Sequence, residues 1–358
     1  MNILLLALVL ILIIMLTVIF SFSKNKNQEL SIGIYVLGTL VQLKAYGKKS
    51  NIALQQAEEK LKEIDDKMSV FKDDSEISNI NRNAGQGGQT VSSDTYFVIK
   101  EAIKYCKLCK GTFDITIRPI VAIWGIGKDK ARIPNKSEIE QALKLVNYND
   151  IVLEDDIRWI GLKHKQQQLD VGGIAKGYAA DEVKNIFVKN NIKSAMINLG
   201  GNIFVLGKKK DGSNWKVGIQ NPLGAREEFI GTIELSNKSV VTSGGYERYS
   251  VLGGKKLQHI IDPRNGYPSE SDVISVTIIS DLSIEGDGLS TGMYILGVKE
   301  GMKVLKELKG VEAIFITSNK EVYITDGIRD KFKVCNEEFK LNGSEINYEE
   351  EDKKDTNI

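Results

Sequence analysis

The sequence predicts an α+β protein with one membrane-spanning helix ahead of its folded part. Three observations carry this reading. Short β-rich runs crowd the chain from Lys193 onward, separated by Gly, Asn and Pro turns. Helical segments lie among them without regular strand–helix–strand alternation, which argues against a doubly wound parallel sheet. Ile3 to Phe22 contains no charged residue, and about 20 residues at ~1.5 Å rise each suffice to cross a bilayer.

No Lys or Arg precedes that apolar run, and Ser21-Phe22-Ser23 is a poor cleavage site, so the expectation is an uncleaved anchor over residues 1–23. It places the chain in the cell membrane as a single-pass protein with an extracytoplasmic folded domain. Lys24 and Lys26 pull the other way, because positive flanks favour the cytoplasm. Residues 24–30 read as a linker, 31–341 as the folded domain, and 342–358, with its EEEDKKD run, as a charged disordered tail.

Within the domain, Ser31–Ala45 reads as a strand interrupted at Gly38. Asn51–Met68 is helical, with Ile52, Ala57, Leu61, Ile64 and Met68 at helical spacing. Asp94 is a suitable N-cap for a helix running to about Cys109. Strands follow over Ala195–Val205, Trp215–Gln220, Phe229–Leu235, Ser239–Thr242 and Val273–Ile279. Helices are expected at Asp287–Leu296 and Lys299–Leu308, then strands at Ala313–Thr317, Val322–Thr325 and Lys331–Cys335.

Lysine plus arginine (48) nearly balances aspartate plus glutamate (47), so the basic footprint of a nucleic-acid binder is missing. Cys106 and Cys109 form a CxxC, which can be a redox pair or half a zinc site. No second CxxC or nearby His completes a metal set. The simpler reading is a helix end with one buried and one exposed thiol.

Chemistry concentrates in glycine-and-acid clusters. Leu169-Asp170-Val171-Gly172-Gly173-Ile174-Ala175-Lys176-Gly177-Tyr178 reads as a strand end, a glycine turn and a helix start. Such an element exposes backbone N–H groups at a helix N-terminus and suits a phosphorylated ligand. Its spacing matches neither a Walker A loop nor a dinucleotide fingerprint. Gly111–Thr116 sets Asp114 between two threonines, which equally describes a capped turn. Asn198–Asn202 is a second glycine turn, and Thr242–Arg248 offers hydroxyls, backbone amides and an arginine.

His259 lies in His259-Ile260-Ile261-Asp262-Pro263-Arg264-Asn265-Gly266-Tyr267-Pro268 and is the better placed of two histidines to act as a base. Asp287 and Thr291 stand four apart at a helix start, so their oxygens face one side. Hard oxygens of this kind suit Mg²⁺, which completes its shell with phosphate and water. An N-cap aspartate beside a buried threonine is the alternative.

Together these motifs make the chain resemble the ApbE family, the FAD:protein FMN transferases. The resemblance runs from about Gly33 to Thr325. It rests on LGT (37–39), MSVFKDDSEISNIN (68–81), GTFDIT (111–116), LDVGGIAKGYAAD (169–181), NLGGN (198–202), TSGGYER (242–248), HIIDPRNGYP (259–268) and DGLSTG (287–292). It implies a T-fold-related, two-lobed domain. It also implies Mg²⁺-dependent transfer of FMN from FAD to a Thr or Ser hydroxyl of a target flavoprotein, an electron-transfer subunit or extracellular reductase, releasing AMP. By resemblance, Asp287 and Thr291 ligate the metal through side chains, and Gly173 and Ser290 through backbone. His259 is the base. Leu37, Phe71, Thr112, Phe113, Asp114, Asp170, Lys176 and Ile261 line the FAD site. Leu37 stands where the family usually has methionine and Phe71 where tyrosine is common, changes that keep an apolar or aromatic wall. An Mg²⁺-dependent FAD pyrophosphatase, a non-catalytic flavin-binding protein and a thiol redox protein are the competing readings.

Overall fold

The computed structural model describes residues 29–342. The chain pairs β1 (Glu29–Val36) with β2 (Thr39–Tyr46) and enters α1 (Ser50–Met68), α2 (Glu76–Arg82) and β3 (Gly88–Thr90). Next come α3 (Ser93–Leu108), α4 (Arg118–Trp124), α5 (Lys136–Leu143), β4 (Ile151–Glu154) and β5 (Trp159–Leu162). Helix α6 (Ala175–Lys189) leads to β6 (Ser194–Leu199), β7 (Asn202–Leu206), β8 (Trp215–Gln220), β9 (Phe229–Leu235) and β10 (Lys238–Gly244). A ribbon of β11 (Tyr249–Leu252) and β12 (Lys255–Gln258) precedes β13 (Val273–Ser280) and α7 (Ser283–Lys306). Strands β14 (Glu312–Thr317), β15 (Glu321–Ile324), β16 (Phe332–Val334) and β17 (Lys340–Asn342) close the described chain.

A nine-stranded sheet in the order β1-β2-β6-β7-β10-β13-β14-β15-β17 organises the whole, antiparallel except for its last pair. Successive side chains of a strand point to opposite faces, and the central strands bury both. In β13, Val276 and Ile278 join the core under the helices while Ile279 joins the core on the other face. In β14, Ala313 and Phe315 oppose Ile314 and Ile316 in the same way. Helices α1, α3, α6 and α7 cover the first face, and the small sheet β16-β9-β8 covers the second. The two lobes implied by the resemblance thus share one sheet. A third, smaller core forms around Ile120, Trp124, Ile139 and Ile261.

The α+β expectation holds, with antiparallel sheets and flanking helices. The expected membrane helix and membrane localisation are corrected. Among the described residues no helix is long and apolar enough to cross a membrane. The longest, α7, carries Glu285, Asp287, Lys299, Glu300, Lys303 and Lys306 and breaks at Gly297 (φ 78°). The apolar run on which the anchor rested lies outside the described residues, as does nearly all of the charged tail.

Local differences have local causes. The interruption at Gly38 is a two-residue hairpin turn, with Leu37 at φ 55° and Gly38 at φ 68°, the left-handed pair that matches strand twist. Ala195–Val205 is likewise two strands, split at Gly200-Gly201. Ser92, not Asp94, caps α3, and Asp94 instead receives hydrogen bonds from Lys60 and Tyr178 at 2.7 Å each. Both Cys106 and Cys109 are buried free thiols, and burial pushes Cys109 up to about 12.

Helix α7 starts at Ser283, one turn earlier than its sequence suggests. Its N-cap residue, Leu282, has no capping side chain. The cap comes from α6: Ser283 N–H and Ile284 N–H donate to Asp181 Oδ1 and Oδ2 at 3.0 and 2.9 Å. Burial raises the Asp181 carboxyl from its usual range, and those two donors work against the rise. Asp181→Ala strands two buried N–H groups, so we expect a loss of about 2–3 kcal/mol in urea unfolding, with Asp181→Asn losing less.

Candidate active site

The glycine turn ahead of α6 is built by side chains that bond to backbone. Leu169 N–H donates to Asn81 Oδ1 at 2.6 Å, and Asn81 Nδ2 donates to the Leu169 carbonyl at 3.0 Å. This clamp from α2 replaces the strand expected there; only an isolated bridge, Ile117–Gln168, remains of it. Asp170 takes the Gly172 N–H on Oδ1 at 2.9 Å, an Asx turn, and its other oxygen lies 3.7 Å from Arg118.

Gly177 then permits a close crossing of α6 and α7. A Cβ there would lie 2.4 Å from the Ser283 carbonyl oxygen and 2.7 Å from Asp287 Cβ. The bare backbone donates its N–H to Asp287 Oδ2 at 2.8 Å. Gly177 is the third residue of α6, where an N–H has no partner within its own helix, so the carboxylate satisfies an otherwise orphan donor. The helix begins at Ala175, so Gly173 lies just ahead of it in the turn. Asp287 is 5% exposed and sits inside α7 rather than at its cap. Its Oδ1 faces the Lys176 ammonium at 3.8 Å, while Lys176 donates to the Gly172 carbonyl at 3.0 Å.

Beside it lies a cluster of hydroxyls. Ser243 Oγ on β10 is 2.8 Å from Ser290 Oγ and 3.2 Å from Thr291 Oγ1. Ser243 was not among the expected site residues, because only the packing of β10 against α7 brings it there. Among the described residues no three His, Cys, Asp or Glu side chains group as a metal cage. The side-chain donor set is one carboxylate and its neighbouring hydroxyls. That set is too small for an all-protein Ca²⁺ or Zn²⁺ site, and it fits a cation that keeps phosphate and water ligands.

The Gly111–Thr116 turn supports this floor from below. Thr112 Oγ1 lies 2.7 and 3.0 Å from the carbonyls of Cys109 and Gly292, so its hydroxyl is used in tying the turn to α7. Phe113 packs under Gly173, whose Cβ position is 3.0 Å from the ring. Asp114 accepts from Thr116 N–H, Thr116 Oγ1 and Tyr148 N–H at 2.7–3.0 Å. Burial raises its carboxyl, with these bonds opposing. Its side chain holds the turn, the bland alternative for this motif.

His259 follows β12 directly. Its Nδ1 is 2.9 Å from the Arg248 carbonyl, and a carbonyl only accepts. Nδ1 therefore carries the proton, which leaves the Nε2 lone pair free. Burial, then the Arg248 and Lys176 charges, hold the imidazole well below its usual range, at about 4.

The remaining expected residues divide. Phe71 is 68% exposed and is flanked by Lys128 at 4.2 Å and Arg118 at 5.1 Å from its ring centre. Arg118 in turn reaches Asp170, so Phe71 belongs to the same rim. Partial desolvation and the Arg118 and Arg248 charges lower Lys128 from its ordinary range. Sequence reasoning missed Arg118 and Lys128, whose clustering is tertiary. Leu37 sits at the hairpin tip, half-buried against the main core. Ile261 is buried in the small core beside Ile120 and Trp124, where it braces the strand end behind His259.

An α+β fold that sets one carboxylate, a group of lysines and arginines and a neutral histidine around glycine-rich turns has the makeup of a phosphoryl-transfer enzyme. The chain belongs to the ApbE family, whose model matches residues 37–315. It is similar to an FAD:protein FMN transferase of Klebsiella pneumoniae (strain 342), 32% identical over 84% of this chain and 93% of that one. It is also similar to an FAD:protein FMN transferase of Treponema pallidum (strain Nichols), 32% identical over 87% and 91% of the two chains. Its structure resembles the crystal structure of the ApbE protein of Thermotoga maritima at a TM-score of 0.79 and 29% identity, covering 85% of this chain and 99% of that one.

The His259 environment has a measurable consequence. Its folded pKa of about 4 lies below the ordinary 6.5, so between those values the unfolded chain binds the proton and the folded one does not. Stability therefore rises with pH across that window, through this group. Imidazole ¹⁵N NMR at pH 7 should show the Nδ1–H tautomer and a titration well below pH 6. A midpoint near 6.5 would contradict this environment.

Proposed function

We infer that this protein is an FAD:protein FMN transferase that uses Mg²⁺ and moves FMN to a threonine or serine hydroxyl of a target flavoprotein. The transferase domain spans residues 31–341. The observation that carries this reading is the Asp287 carboxylate, locked by the Gly177 N–H beside the Ser243, Ser290 and Thr291 hydroxyls and within reach of Lys176. It supplies negative charge and hard oxygens at one point of an otherwise cationic site.

Asp287 and Thr291 would hold the metal through side chains, with the backbone at Gly173 and Ser290. Bound there, Mg²⁺ would neutralise pyrophosphate charge and polarise it toward attack. Lys176, anchored on the Gly172 carbonyl, brings positive charge to the same phosphates. Phe71 and Leu37 supply aromatic and apolar walls, Phe113 backs the Gly173 turn, and Thr112, Asp114, Asp170 and Ile261 shape the FAD site by fixing its turns. The His259 Nε2 lone pair accepts the proton of the acceptor hydroxyl as its oxygen bonds the FMN phosphorus. The bond from that phosphorus to the AMP phosphate breaks, and AMP leaves with the electron pair. An electron-transfer subunit or an extracellular reductase is the class of acceptor this chemistry serves.

The test incubates the full chain with FAD, Mg²⁺ and a peptide carrying an acceptor threonine, followed by intact mass. An FMN phosphoester that disappears with EDTA is expected. Asp287→Ala should lower its formation by about 100-fold or more, with the circular dichroism spectrum retained. Free FMN and AMP with unmodified peptide would support hydrolysis instead, and unchanged FAD would support binding alone.

A further inference from the structure

The Thr242–Arg248 stretch contributes Ser243 to the hydroxyl cluster, yet its arginine has no part in the chemistry above. Arg248 occupies the position opposite His259 at the root of the β11–β12 ribbon, one step beyond the Tyr249–Gln258 pair. Its carbonyl accepts both the His259 backbone N–H at 3.1 Å and Nδ1–H at 2.9 Å. Opposed positions of a ribbon project to one side, and the Arg248 charge is among those that act on His259.

The guanidinium itself is exposed, and among the described residues it has no carboxylate within ion-pair distance. Other arginines near the site do: Arg118 lies 3.7 Å from Asp170, and Arg264 lies 2.6 Å from Asp262. The loop that carries Lys128 is tied to the same ribbon. Gly127 N–H donates to Ser250 Oγ at 3.0 Å, and a Cβ at Gly127 would be 3.8 Å from Arg248 Cβ. An unpaired guanidinium thus springs from the residue whose backbone carbonyl holds His259 by both its N–H and its Nδ1–H. The fork geometry of arginine matches phosphate oxygens.

We propose that Arg248 is a catalytic residue of the transfer, its guanidinium gripping the nonbridging oxygens of the phosphoryl group that passes from FAD to the acceptor. The proposal rests on the transferase reading. Arg248 exchanges no proton. The bond from acceptor oxygen to phosphorus forms, the bond from phosphorus to the AMP phosphate breaks with its electrons, and the proton goes to His259. As negative charge grows on the moving group, the guanidinium holds it without reorganising.

Arg248→Gln and Arg248→Lys in the full chain separate the outcomes, with kcat and the KM for FAD measured against the acceptor peptide. In Arg248→Gln, kcat should fall about 100-fold or more while the KM for FAD changes far less. Arg248→Lys should recover part of the loss, since it keeps charge and loses the fork. The acid limb of the pH–rate profile should also move upward in Arg248→Gln, because a positive neighbour of His259 is gone. A kcat near that of the unmodified protein, or a change confined to KM, overturns the proposal. So does an equal partial loss of kcat in both variants with a lowered melting temperature and an unmoved acid limb, which assigns Arg248 to structure alone. If the unmodified protein itself transfers no FMN, the transferase reading fails first and this proposal with it.

Discussion

The contact between Gly177 on α6 and Asp287 on α7 is the constraint on which the site depends. Two helices can meet this closely only where one of them has no side chain, and Gly177 meets the Asp287 side chain with bare backbone. Its N–H, which has no partner within the first turn of α6, is spent on the carboxylate. That bond orients Asp287 and satisfies a first-turn donor of α6. The Asp181 cap on α7 pins the other side of the crossing, so α6 positions α7 twice, once at its first turn and once at its second.

Charge is arranged around that junction in a consistent sense. Lys176, Lys128, Arg118 and Arg248 approach from α6, the loop after α4, α4 itself and the root of the ribbon. Asp170 and Asp287 are the carboxylates they face. Such a surplus of positive charge destabilises the free protein locally and favours a polyanionic substrate. Burial first, and then part of the same surplus, keep His259 neutral across the physiological range. The proposed binding and base roles would thus draw on one environment.

Much of this was legible in the residues. Periodicity located α1, a cap signal placed α3 within two residues of its start, and the break at Gly297 divides α7 where the two expected helices part. The clusters of glycine with acid or hydroxyl marked nearly every turn that reaches the site. What stayed hidden was tertiary. The start of α7 carries no local signal, because its cap is supplied by Asp181 about a hundred residues earlier. The hairpin at Leu37-Gly38 lacks the Asn-Gly signature that usually announces such a turn. Ser243, Arg118 and Lys128 acquire meaning only once β10, α4 and the following loop converge. Asp114 shows the reverse case: a carboxylate in a suggestive motif whose three bonds are all structural.

The central claim is that the bare backbone at Gly177 makes Asp287 a cation ligand. The most direct measurement is a Mn²⁺ titration, followed by electron paramagnetic resonance in the presence of FAD, on the unmodified protein and on Gly177→Ala. The account predicts that the unmodified protein binds one Mn²⁺ with FAD present. In Gly177→Ala the added methyl cannot fit against Ser283 and Asp287, and Mn²⁺ binding should weaken by about tenfold or more, roughly 1.4 kcal/mol, with helical content retained. Equal Mn²⁺ affinity in a folded Gly177→Ala protein would contradict it.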